Sequence, residues 1–87
     1  IRLGQLLPMK IQIEYFALLK EQRGTSIETI ETKAATPKIL YSDLKRQYSF
    51  SLEPSALKVA VNEDFANWDH SLKDGDTVVF IPPVAGG

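Results

Sequence analysis

A chain of 87 residues has room for one hydrophobic core and no second one. Its 44% hydrophobic and 24% charged residues exclude a disordered tail, and ten Lys and Arg against eleven Asp and Glu exclude the basic surface that nucleic acid demands. The absence of cysteine removes disulfides, thiolate metal sites, iron–sulfur clusters and a Cys nucleophile.

No apolar run approaches the roughly 20 residues needed to cross a bilayer. The opening Ile1–Pro8 is too short for a signal peptide. Met9 is the single methionine and directly precedes a clean strand pattern. The domain is therefore expected to run from Met9 to Gly87, with Ile1–Pro8 as a non-native or disordered leader. A reducing, cytoplasmic setting is expected, with no membrane or nucleic-acid partner.

Lys10–Phe16 alternates polar and apolar, which predicts a strand with Ile11, Ile13 and Tyr15 on one face and Phe16 with the polar residues on the other. Ala17–Arg23 holds strong helix formers and ends at Gly24, a short helix with a glycine C-cap. Ser26–Thr32, rich in Thr and Ile, reads as a second strand antiparallel to the first. Thr36-Pro37 is a helix start, an N-cap followed by proline at the first helical position. Leu40, Leu44 and Tyr48 recur at four-residue steps with Ile39 and Tyr41 beside them, so this helix should lie on a sheet. Ser49–Ser55 is expected as loop and Leu57–Asn62 as a strand. Phe65–Asp69 reads as a short strand or turn. Leu72–Asp76 is a turn, since Asp-Gly supplies positive φ. Thr77–Ile81 is the last strand, stopped by Pro82-Pro83 because proline has no amide proton for the ladder. The order predicts an α+β fold of the β-grasp type, a mixed sheet of four to five strands packed against a central helix. A ferredoxin-like sandwich is the alternative, but it wants a longer helix after the first strand.

Two features carry functional signal. The last strand is apolar on both faces, Val78 and Phe80 one way, Val79 and Ile81 the other, whereas a half-exposed sheet should be polar outside. Phe16, Phe65, Val79, Ile81 and Val84 are expected to form an apolar patch of the kind that marks protein interfaces. The second feature is the ending Pro82-Pro83-Val84-Ala85-Gly86-Gly87, with no charged residue after Asp76. The prolines hold the departing segment extended. Gly86 and Gly87 lack a Cβ, so their backbone can closely approach a partner's catalytic atoms. The flexible segment 82–87 would present the Gly87 carboxylate as the reactive group. A carboxylate is a poor electrophile until ATP converts it to an acyl adenylate, and this chain has no Gly-rich phosphate loop to bind ATP itself. Other chemistry is weak. His70 beside Asp69, with Asp64, Asp74 and Asp76 nearby, reads as a solvated turn and no metal is expected. Ser26, Ser42 and Ser55 have no base at recognisable spacing. Lys33, Lys38, Lys45 and Arg46 read as a solvated face.

The segments Val59–Asn62, Asp69-His70, Leu72–Asp76 and Val78–Gly87, with Phe16-Ala17 near the start, resemble the small subunit of molybdopterin synthase, the sulfur-carrier family called MoaD. The resemblance covers Met9–Gly87 and is generic between Thr25 and Pro54. It implies a ubiquitin-like β-grasp fold and a non-catalytic sulfur donor. An E1-like, MoeB-type adenylyltransferase would adenylate Gly87 with ATP, and sulfur transfer would give a thiocarboxylate. Val84, Ala85 and Gly86 would then insert into the synthase large subunit, in an expected heterotetramer, and sulfur would pass to cyclic pyranopterin monophosphate. Phe16, Phe65, Val79, Ile81, Pro82 and Pro83 would dock the partner. No cofactor is implied to stay bound. A sulfur carrier for thiazole synthesis or tRNA thiolation, a lysine-conjugating modifier and a passive interaction module are the alternatives.

Overall fold

The computed structural model describes residues 8–83. The leader expected before Met9, except for Pro8, lies outside the described residues, and so do Val84, Ala85, Gly86 and Gly87. Seven elements follow in order: β1 (Met9–Tyr15), α1 (Ala17–Arg23), β2 (Ile27–Thr32), α2 (Pro37–Tyr48), β3 (Lys58–Val61), β4 (Asp64–Ala66) and β5 (Thr77–Ile81). A single 3-10 turn at Pro54–Ala56 interrupts the segment expected as loop.

The strands form one five-stranded sheet in the order β2-β1-β5-β3-β4. β1 and β5 run parallel and every other pairing is antiparallel. Parallel neighbours need a long crossover, and here it carries α2 and the β3–β4 hairpin. The antiparallel β1–β2 pair and a seven-residue α1 exclude the ferredoxin-like alternative.

Alternation sorts the side chains as the sequence predicts. Ile11, Ile13 and Tyr15 are fully buried, as are Val78 and Phe80 on β5. Leu40, Tyr41 and Leu44 of α2 join them in one core cluster. Aromatic rings run through it: Tyr41 lies 5.0 Å from Phe80 and 5.9 Å from Phe50, and Phe50 lies 5.7 Å from Tyr15. The Tyr41 hydroxyl donates to the Leu52 carbonyl at 2.8 Å, and burial pushes its pKa up to about 12. α2 starts as expected, with Thr36 Oγ1 accepting from the Ile39 amide at 3.3 Å. α1 ends at Gly24, whose φ of 87° is the left-handed value that glycine adopts without strain.

Two expectations need correction. Phe16 does not extend β1. It is the extended N-cap of α1, followed by Ala17 at φ 52°. Ile39 is not part of the buried stripe but 47% exposed, because it stands about 100° around the helix from Leu40, away from Leu44 and Tyr41. The short strand or turn expected over Phe65–Asp69 is present as both, with strand β4 at Asp64–Ala66, centred on Phe65, and a turn at Trp68-Asp69.

The start of β5 is anchored by a polar network around Asp76. Asp76, nearly buried, accepts from the Lys73 amide and from Asn62 Nδ2, both at 2.8 Å. Asn62 Oδ1 accepts in turn from the Thr77 amide at 2.9 Å. Asp74 Oδ1 takes the Lys10 amide at 2.7 Å, and the Gly75 amide donates to the Lys10 carbonyl at 2.8 Å. Gly75 is needed at φ 89° for that turn. Asn62 and Glu63, both at positive φ, form the two-residue β3–β4 loop, a geometry Asn tolerates better than Glu. The Asp-Gly-Asp motif thus holds the sheet together at this end.

Candidate docking face and tail junction

Register places two rungs across the outer face of the sheet. The first runs Ile27, Glu14, Val79, Ala60, Phe65 from β2 to β4. The second pairs Ile81 with Lys58. Phe65 is 75% exposed and Ile27 48% exposed, while Val79 and Ile81 are half-buried. Ala60 is buried although it faces outward, since a methyl group between Val79 and Phe65 has little area left to expose. Of the residues expected to dock a partner, Phe65, Val79 and Ile81 therefore share one face.

Phe16 joins them by position. Tyr15 pairs with Phe80 on parallel strands, and Phe16 and Ile81 are each one residue further on, at the same end of the sheet. Phe16 is 49% exposed there. β3 begins and β4 ends at this end too, so Leu57-Lys58 and Asn67-Trp68 also gather there. The Asp74–Asp76 anchor lies at the opposite end. Pro83 is exposed, but Pro82, expected as a docking residue, is buried within the chain's own surface. β5 is the central strand, so the first residue past its ladder is still walled in by the segment Ser55–Lys58.

Two shallow grooves meet at this end. One runs between Ser55–Lys58 and Ile81–Pro83, along the exit of β5. The other runs between Leu57–Val59 and Phe65–Trp68. They share Leu57 and Lys58, and Lys58 is the single charged residue lining either. The polar cleft between β2 and α2, with Glu31, Lys33 and Asp43 on its walls, is separate from both.

Ile27 was not singled out by the sequence. The alternation of Ser26–Thr32 is imperfect, and only the pairing of Ile27 with Glu14 places it on the outer rung. The basic residues around α2 are partly neutralised: Arg46 pairs with Asp43 at 2.9 Å and Lys45 reaches Glu53 at 4.0 Å. His70 is exposed in the turn after β4. Among the described residues no group of three or more His, Cys, Asp or Glu is placed to hold a metal ion, and no helix is long and apolar enough to cross a membrane.

Just inside Phe16, Tyr15 is locked by an ionic cluster. Its hydroxyl donates to Glu28 Oε2 at 2.6 Å, and Arg23 donates to both Glu28 oxygens at 2.9 and 2.7 Å. The Arg23 guanidinium also stands 4.0 Å over the Tyr48 ring. Burial, and then the bond to Glu28, push the Tyr15 pKa up, while the Arg23 hydrogen bonds hold the Glu28 carboxyl below its ordinary 4.5. A carboxyl depressed in the folded state stabilises above its ordinary pKa and loses that contribution as pH falls through the folded value. Glu28→Gln should therefore lower stability by about 1 kcal/mol near neutrality, with the gap to the parent closing as pH falls through the depressed folded value. Urea unfolding of both proteins across that range checks it; a pH-independent gap would mean that the charge of Glu28 is not what matters.

A sequence model of the ThiS family matches residues 13–87. The molybdopterin synthase sulfur carrier subunit of Escherichia coli is 35% identical over 80 residues, covering 88% of this chain and 99% of that protein. A solved complex of subunits 1 and 2 of the molybdopterin-converting factor from Helicobacter pylori contains a chain 29% identical, with a TM-score of 0.62, covering 91% of this chain and all of that one. The small archaeal modifier protein 1 of Haloferax volcanii, 20% identical, shares the fold with a TM-score of 0.72 over 87% of this chain and 99% of its own. The fold is the ubiquitin-like β-grasp, and with the family match running from the first strand through the Gly-Gly ending, the chain belongs to the ThiS family.

Proposed function

We propose that this chain is the sulfur carrier subunit of a molybdopterin synthase, acting in the cytoplasm. The observation that carries the reading is the junction at the end of β5. A central strand with a buried inner face passes straight into Pro82-Pro83 and the uncharged Val84–Gly87, at the sheet end that presents Phe16, Phe65 and Ile81. The names borne by relatives that align over 99% of their own length support it.

The chemistry begins on a MoeB-type activating enzyme. A Gly87 carboxylate oxygen attacks the α-phosphorus of ATP, pyrophosphate leaves, and the acyl carbon becomes electrophilic. Sulfur from a donor then displaces AMP, and the carrier leaves as a thiocarboxylate. The large subunit, the partner type named in the Helicobacter pylori complex, would receive Val84–Gly87 and pass the sulfur to cyclic pyranopterin monophosphate. This chain supplies the docking face and the acyl group. It needs no metal or bound cofactor of its own.

Intact mass spectrometry after incubation with ATP, a sulfur donor and the activating enzyme tests this. A gain equal to exchanging one oxygen for sulfur, mapped to Gly87, is the expected result, and adding large subunit and pterin precursor should reverse it. No gain with a competent enzyme, or isopeptide adducts on lysines instead, would overturn the reading in favour of a passive module or a protein modifier.

A further inference from the structure

Lys58 stands where a docking surface should be apolar. It is exposed at the start of β3, opposite Ile81, and it lines both grooves at the tail end of the sheet as their single charged residue. Among the described residues it makes no ion pair. Its neighbours on the two outer rungs are Ile81, Ala60, Val79 and Phe65, and Glu14 lies two strands away beyond β5. A partner that covers Phe65 and Ile81 together must also cover Lys58, which lies between their two grooves. Removing an ammonium group from water without a counter-charge is strongly unfavourable, whereas a well-placed carboxylate offsets the loss and fixes register.

We propose that Lys58 is a specificity-determining contact, and that the partner on this face is a protein whose apolar contact surface carries a carboxylate set against it. The inference rests on the docking reading above and adds the partner's chemistry to it. Such a contact discriminates among tail-binding proteins, because a partner with a neutral or basic group at that point leaves Lys58 unpaired.

The test is calorimetric titration of the full chain with the large subunit, at low and moderate salt, for the parent, Lys58→Met, Lys58→Glu and the control Lys38→Met. Lys38 is exposed on α2, and its loss changes net charge equally. Lys58→Met should weaken binding about fivefold and Lys58→Glu about thirtyfold, while Lys38→Met leaves it unchanged. The salt sensitivity of the parent should largely vanish in Lys58→Met. Thermal unfolding shows whether each variant keeps its fold. Parent binding with an equally tight Lys58→Met, or equal losses for Met and Glu, would overturn the role of Lys58 alone. A parent that does not bind the large subunit at all would overturn the docking reading and this inference with it.

Discussion

Deleting Gly86 and Gly87 should leave the unfolding temperature unchanged and abolish the sulfur-for-oxygen mass gain completely. The first half follows from where the core closes. Among the described residues the buried hydrophobic core runs from Ile11 to Phe80, and the Asp76 anchor secures the start of β5 rather than its end. The core seen among the described residues is already closed by Phe80, upstream of the ending, so the deletion is expected to spare it. The second half follows from chemistry. The proposed electrophile is the Gly87 acyl carbon, and the shortened chain would offer Ala85, a residue with a Cβ, two positions too early for a narrow site. Circular dichroism melts and intact mass measured on one preparation decide the matter. A shortened chain that still gains sulfur would place the reactive group elsewhere. One that also unfolds would mean the ending is structural.

Much of this molecule is legible in its sequence, and the failures have physical causes. β5 is readable because alternation over Val78–Ile81 reports both faces at once, and its apolar outer face already points to a partner. α2 is readable because Thr36-Pro37 marks its start and Leu40, Leu44 and Tyr48 mark its buried stripe. Phe16 was misplaced because the strand alternation runs one residue past the last ladder bond, and nothing local announces the turn at Ala17. Ile27 was missed because its facing is set by pairing with Glu14, a tertiary fact. The burial of Pro82 depends on Ser55–Lys58, more than twenty residues upstream. The bond between Asn62 and Asp76 likewise joins two loops distant in the chain. Local pattern gives elements and facings. It does not give what a second, distant segment covers.

Ile81→Lys should weaken the complex with the large subunit by about 3 kcal/mol, more than a hundredfold, while leaving the domain folded. Ile81 is half-buried on the outer rung, so the fold loses little apolar contact when it is replaced. The new ammonium would sit directly opposite Lys58, and a like-charged cross-strand pair costs below about 1 kcal/mol. Binding loses far more. An aliphatic anchor at the tail exit becomes a second cation in an apolar contact, and the carboxylate proposed for the partner can pair with only one of the two. Calorimetric titration beside a thermal melt separates the effects. A stable variant that binds as tightly as the parent would show that the outer face of β5 is not covered by the partner. If the activating enzyme grips the same face, the substitution should also slow thiocarboxylate formation. One surface would then serve both steps, and the carrier would have to leave the first partner before meeting the second.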